Sequence, residues 1–118
     1  MRVAISGSGQ MAVRANLDEY LPMDTTEIVS GGATGVDTSA REYAVRNQIK
    51  LTEFLPDYKR YGRGAPIVRN MEIIKHADLV LAFWDGKSRR TQHVIDECRR
   101  LGVPINVYCV LKDVSSET

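Results

Sequence analysis

Cysteine is scarce in this sequence. Cys98 and Cys109 are the only two among 118 residues, too few for a disulfide framework, and both fall in stretches that read as buried elements. Histidine is equally rare. His76 and His93 stand far apart on segments of helical pattern, with no Cys or carboxylate at ligand spacing, so no metal site is expected. Nor does a Ser-His-Asp or Cys-His arrangement assemble from the residues present. No apolar run approaches the roughly 20 residues that span a bilayer, and MRVAIS turns polar and glycine-rich too soon for a secretory signal. Neither sign of charge dominates: 16 Lys and Arg face 15 Asp and Glu, for a net charge of +1. Bulk charge therefore gives no argument for nucleic acid or an anionic membrane, and any basic surface must be local. The expected setting is a reduced cytoplasm, with no cofactor and neither membrane nor nucleic acid as partner.

What is present is an ordinary globular balance, 43% hydrophobic and 26% charged, enough for one domain with a true core. Short apolar runs alternate with segments of helical period. Arg2–Ser6, Glu27–Ser30, Ile49–Leu55, Ala77–Phe83 and Pro104–Val110 read as strands. The third carries Lys50, Thr52 and Glu53 and suits an edge, whereas ADLVLAF is the most apolar run and suits the centre. Between them, Met11, Val13, Leu17 and Leu21 recur at roughly helical spacing up to Pro22. Val36, Ala40, Tyr43, Ala44 and Asn47 share one helical face. Pro56–Pro66 reads as a long loop, and Ile67, Val68, Met71, Ile74 and Lys75 form the next helix. Thr91, Val94, Ile95, Cys98 and Leu101 make the cleanest amphipathic helix, closed by Gly102. Strand–helix alternation with short connections implies a three-layer Rossmann-like α/β domain: a mostly parallel sheet of about five strands with helices on both faces. The domain is expected over residues 1–111, with 112–118 a polar C-terminal tail.

In such sheets ligands bind outside the carboxyl ends of the strands, where strand order reverses. That rule selects four loops. Gly7-Ser8-Gly9-Gln10-Met11-Ala12 fits the dinucleotide fingerprint formally, and its glycines would bring backbone N–H groups to a phosphate. The acidic residue that a dinucleotide needs after the second strand is missing, since Val29-Ser30 runs straight into glycine; a tight turn alone also accounts for the glycines. Gly31-Gly32-Ala33-Thr34-Gly35-Val36-Asp37 exposes a run of backbone donors at a helix start but lacks the Gly-Lys-Ser/Thr of a triphosphate loop. Asp37 serves there either as a helix cap or as an acceptor for ligand hydroxyls. The third loop carries Lys59, Arg60 and Arg63 among Tyr58 and Tyr61, and ends in Arg69 and Asn70 at a helix start. It reads as a phosphate- and base-holding loop or as a solvated excursion. In the fourth, Ser88 and Thr91 are natural caps, and Trp84 packs beneath a loop or walls a pocket. Lys87, Arg89 and Arg90 place cations at a helix N-terminus, against the macrodipole by a few tenths to about 1 kcal/mol each. A bound anion would resolve that conflict.

The stretches AISGSG (Ala4–Gly9), IVSGGATGVDTSAREYA (Ile28–Ala44), FLPDYKRYGRGAPIVRN (Phe54–Asn70) and ADLVLAFWDGKSRRT (Ala77–Thr91), with the closing GVPINVY, resemble the SLOG superfamily. Its small YspA/YpsA-related branch is the nearest in pattern; DprA/Smf and the LOG phosphoribohydrolases are wider relatives. The resemblance implies a pocket for a nucleotide or nucleotide-derived ligand. Carried over with the loop reading, its ligand-binding residues are Gly7, Ser8, Gly9, Gly31, Gly32, Ala33, Gly35, Asp37, Arg69, Asn70, Trp84, Ser88, Arg90 and Thr91. Three departures stand out. Gly9 takes the place of a common basic residue. Arg90 replaces the glycine of Ser-Arg-Gly-Thr, so it either blocks the site or supplies a charged contact. Val94 sits where LOG enzymes carry the glutamate that serves glycosidic cleavage, a step whose oxocarbenium-like state wants a carboxylate.

The expected function is therefore binding or sensing of a nucleotide-like molecule without turnover, with homodimerisation in keeping with such domains. One alternative is a nucleotide-processing N-glycosidase, phosphoribohydrolase or deoxyribosyltransferase-like, using Asp37 or Asp85 as its catalytic carboxylate. The other is DprA-like binding of single-stranded DNA.

Overall fold

A computed structural model describes residues 1–7, 17–31 and 36–109. Five strands, β1 (Arg2–Gly7), β2 (Glu27–Ser30), β3 (Lys50–Glu53), β4 (Leu79–Trp84) and β5 (Ile105–Cys109), pair in the order β3-β2-β1-β4-β5. Every pairing is parallel. Among the described residues four α-helices follow β2: α1 (Val36–Arg46), the short α2 (Tyr58–Tyr61), α3 (Ala65–His76) and α4 (Arg89–Leu101). The chain moves outward from β1 to β3, crosses over, and resumes on the other side of β1 with β4. The order thus reverses between β1 and β4. The three-layer Rossmann-like architecture is as the sequence implies.

Alternation along the strands builds the layers. Val3 and Ile5 of β1, Ile28 of β2, and Leu81 and Phe83 of β4 meet Ala40, Tyr43 and Ala44 of α1 on one face. Ala4, Val29 and Val80 point the other way, against Ile73 and Ile74 of α3 and Val94 and Cys98 of α4. Strands buried on both faces read as continuous apolar runs for this reason. Gly102 closes α4 in the left-handed conformation at φ 75°, a geometry that glycine adopts without steric cost.

Several sequence expectations need correction. The middle strand is β1, with β4 its interior neighbour. The segment 56–66 is not all loop: the Asp57 carboxylate accepts from Arg60 N–H at 3.1 Å and starts α2, and a 3-10 turn at Gly62–Gly64 leads into α3. Asn47 lies one residue beyond α1, where its amide donates to the Tyr43 carbonyl at 3.0 Å. Leu101, in the last turn of α4, is exposed. Cys98 is buried but Cys109 is exposed, because β5 is an edge strand with only partial cover. The run from Met11 is described only from Leu17 onward, where Leu17–Glu19 forms a 3-10 turn; its earlier part and the tail lie outside the described residues. Among the described residues no helix is long and apolar enough to cross a membrane.

At the amino edge of the sheet, opposite the glycine loops, Glu27 is buried yet well partnered. Its Oε2 accepts from Thr52 Oγ1 and meets His76 Nε2, both at 2.7 Å, while Lys50 Nζ lies 3.7 Å from Oε1. Burial works to raise the Glu27 pKa, but these hydrogen bonds and the Lys50 charge together hold it below the ordinary carboxylate value. A carboxyl with a depressed folded pKa stabilises the protein above its unfolded pKa, and that contribution is lost as pH falls through the folded value. Urea unfolding measured between pH 6 and pH 3 should therefore show declining stability. Glu27→Gln should flatten part of the decline and cost about 1–3 kcal/mol at neutral pH; an unchanged pH profile would contradict the assignment.

The two cysteines give a second check. Burial, with a smaller contribution from the Glu97 charge, pushes the Cys98 thiol up to about 11. At pH 8, a disulfide reagent such as DTNB should label one thiol per native chain rapidly, and Cys109→Ser should abolish that rapid phase.

Candidate functional site

The reversal between β1 and β4 leaves a hollow at the carboxyl edge of the sheet, and the described loops converge there. A cavity of about 90 Å³ is lined by Ile5, Ser6 and Gly7 from β1, Gly31 after β2, Arg69, Asn70 and Ile73 from α3, and Ser88, Arg90, Thr91 and Val94 around the start of α4. Seven of the residues singled out from sequence thus line one cavity: Gly7, Gly31, Arg69, Asn70, Ser88, Arg90 and Thr91. Ser8, Gly9, Gly32, Ala33 and Gly35 lie outside the described residues. Asp37 is the second residue of α1.

Arg69 forms the floor. It is only 9% exposed, its Nη1 donates to the Gly31 carbonyl at 2.9 Å, and its Nε donates to Asn70 Oδ1 at 3.0 Å. The guanidinium occupies the space that a side chain at position 31 would take. A Cβ on Gly31 would fall 2.9 Å from Arg69 Cζ and closer still to Nη1. Glycine here leaves room for a close approach and does not serve an unusual backbone angle.

The opposite wall is the first turn of α4. Ser88 caps the helix, its Oγ accepting from Thr91 N–H at 3.4 Å, and the buried Thr91 hydroxyl donates to the same Oγ at 3.4 Å. Asp85 shapes the approach: its Oδ1 accepts from the backbone N–H groups of Lys87 and Ser88, each at 2.8 Å. Trp84 does not border the cavity. Its indole N–H donates to the Ser88 carbonyl at 3.1 Å and braces the loop from behind. Arg89 and Arg90 open α4 with no acidic residue in its first turn, so the positive end of the helix dipole and two cations coincide. Arg90 is exposed and lines the cavity.

Ser6, Ile5 and Ile73 complete the lining without having been singled out. Ile73 follows Arg69 by one helical turn, and Val94 follows Thr91 by three residues, so helical spacing from the recognised residues would have found both. Among the described residues no carboxylate lines the cavity, and none forms a metal-binding cluster with His or Cys. The chemistry on offer is anion binding: one buried guanidinium, one exposed guanidinium, three hydroxyls and a helix N-terminus.

Gly31→Ala should displace Arg69 and cost about 1–3 kcal/mol, as overpacking of a filled site does. Urea unfolding that shows the variant as stable as the parent would contradict this packing.

Comparison with known proteins agrees with the family resemblance. Residues 1–61 match the YspA, cpYpsA-related SLOG family. Gene 61 protein of Mycobacterium phage D29 is 32% identical over 84 residues, covering 66% of this chain and 67% of that protein. No solved structure is a significant match. With half of its length in the family pattern and the Rossmann-like sheet beneath it, the chain belongs to the YspA, cpYpsA-related SLOG family.

Proposed function

We propose that this domain binds a nucleotide or nucleotide-derived ligand through a phosphate seated in the cavity at the carboxyl edge, and that it does so without cleaving the ligand. The observation that carries the reading is the convergence of Arg69, Arg90, Ser88 and Thr91 on one hollow at the topological switch point, where open α/β sheets bind their ligands. Absence of turnover is supported by Val94. The residue at the position of the glutamate in the LOG phosphoribohydrolases is here an apolar wall of the cavity, 4% exposed, and cannot stabilise an oxocarbenium-like state. Asp85, a carboxylate weighed for catalysis, instead accepts two backbone N–H groups of its own loop.

A ligand that binds only the folded state raises its stability, by about 2.7 kcal/mol at roughly 100 times Kd. AMP and inorganic phosphate, titrated separately in a thermal-shift assay, should each raise Tm, AMP more strongly. Arg90→Ala removes a cation from an exposed position and should leave the unliganded Tm nearly unchanged while weakening AMP by about tenfold, one charge-assisted contact. Chromatography of the incubated AMP should recover it intact. No Tm rise with either probe up to millimolar concentration would overturn the binding reading; free adenine above a buffer blank would overturn the absence of turnover.

A further inference from the structure

The chain is nearly neutral, but its charge is not evenly spread. Over residues 57–70 and 85–91, both at the carboxyl edge, Lys59, Arg60, Arg63, Arg69, Lys87, Arg89 and Arg90 face only Asp57 and Asp85, in a chain whose total is +1. Those two carboxylates accept backbone N–H groups within their own turns. None of the six exposed cations forms an ion pair with a described carboxylate. Ion pairs form elsewhere: Arg2 with Asp78, Lys50 with Glu27 and Arg100 with Glu97 at the opposite edge, and Arg41 with Glu53 at the end of β3.

Arg90 lines the cavity, and the other five exposed cations stand on the segments that lead into its α3 and α4 walls. Lys59, Arg60 and Arg63 sit on α2 and the turn leading into α3, while Lys87, Arg89 and Arg90 sit at the start of α4. Tyr58 and Tyr61 stand on the α2 side, 58% and 41% exposed, with the Arg60 guanidinium 5.2 Å over the Tyr61 ring. The cavity itself is about 90 Å³, far below the roughly 300–1,000 Å³ of pockets that enclose a drug-sized ligand. The space lined by the described residues is on the scale of one phosphoryl group.

We propose that the ligand carries two or more phosphates along a chain, one seated in the cavity and the next lying over the Lys59–Arg63 rim, with Tyr58 and Tyr61 offering rings to a base. This rests on the phosphate-seat reading above. The shared chemistry has two sources, a nucleoside polyphosphate or the 5′-phosphorylated end of a single-stranded oligonucleotide.

Calorimetric titration with AMP, ADP, ATP and a 5′-phosphorylated oligo(dT) eight nucleotides long, at 50 and 200 mM KCl, tests it. At least one multiply phosphorylated probe should bind about tenfold or more tightly than AMP, with a steeper loss in salt as more phosphates are neutralised. The variant Lys59→Gln/Arg60→Gln/Arg63→Gln changes only exposed side chains, so its Tm should match the parent. It should lose most of that gain yet leave AMP affinity within about twofold. A gain for ADP and ATP alone identifies the small polyphosphate; a gain for the oligonucleotide alone identifies the strand. If AMP binds and no probe exceeds it, or the triple variant leaves the gain intact, the inference fails while the phosphate seat stands. If nothing binds, both fail.

Discussion

The contact between the Arg69 guanidinium and the Gly31 carbonyl holds the carboxyl edge of this domain together. A buried guanidinium is tolerable only where its donors are met, and the end of β2 and the neighbouring Asn70 meet two of them. The bond joins α3 to β2 across 38 residues of sequence, so the second turn of α3 is fixed against the sheet. It also places a positive charge beneath the hollow opened by the β1–β4 reversal. The fold itself holds the cation there, without a ligand to order it.

Much of the fold was legible because its strands are buried on both faces and its helices on one. Runs such as RVAIS and ADLVLAF admit few other readings, and the period of Val94, Ile95 and Cys98 fixes which side of α4 faces the sheet. What escaped is local. Leu101 continues that period but lies in the final turn, past the sheet it would need to touch. PINVYC has the composition of a covered strand, yet β5 has a described strand on one side only, and topology rather than composition decides that. The helix α2 is four residues long and rests on a single Asp57 cap, a signal too short for periodicity to register.

The site divides in the same way. Glycine after a strand pointed to position 31, but as a donor of backbone N–H groups. The structure gives a different reason, room for a guanidinium that comes from a distant helix. No local pattern around Gly31 contains that information. Trp84 and Asp85 were also conspicuous in sequence, and both scaffold the loop that carries Ser88. Residue type marked the loop; only packing separates the groups that line the cavity from those that brace it.

Charge placement gives these observations a common direction. Ion pairs neutralise the amino edge of the sheet, and the last turns of α1, α3 and α4 place basic residues where the helix dipole favours them, Arg46, Lys75 and Arg99. The carboxyl edge breaks the same rule: α4 opens on two arginines without a compensating acid. Each such cation costs a few tenths to about 1 kcal/mol in the absence of an anion. A chain that follows the dipole rule at helix C-termini and violates it beside its cavity has conceded stability at one place, which is the expected mark of a functional site. A net charge near zero conceals this completely, since the sum over a sequence carries no record of which edge each charge occupies.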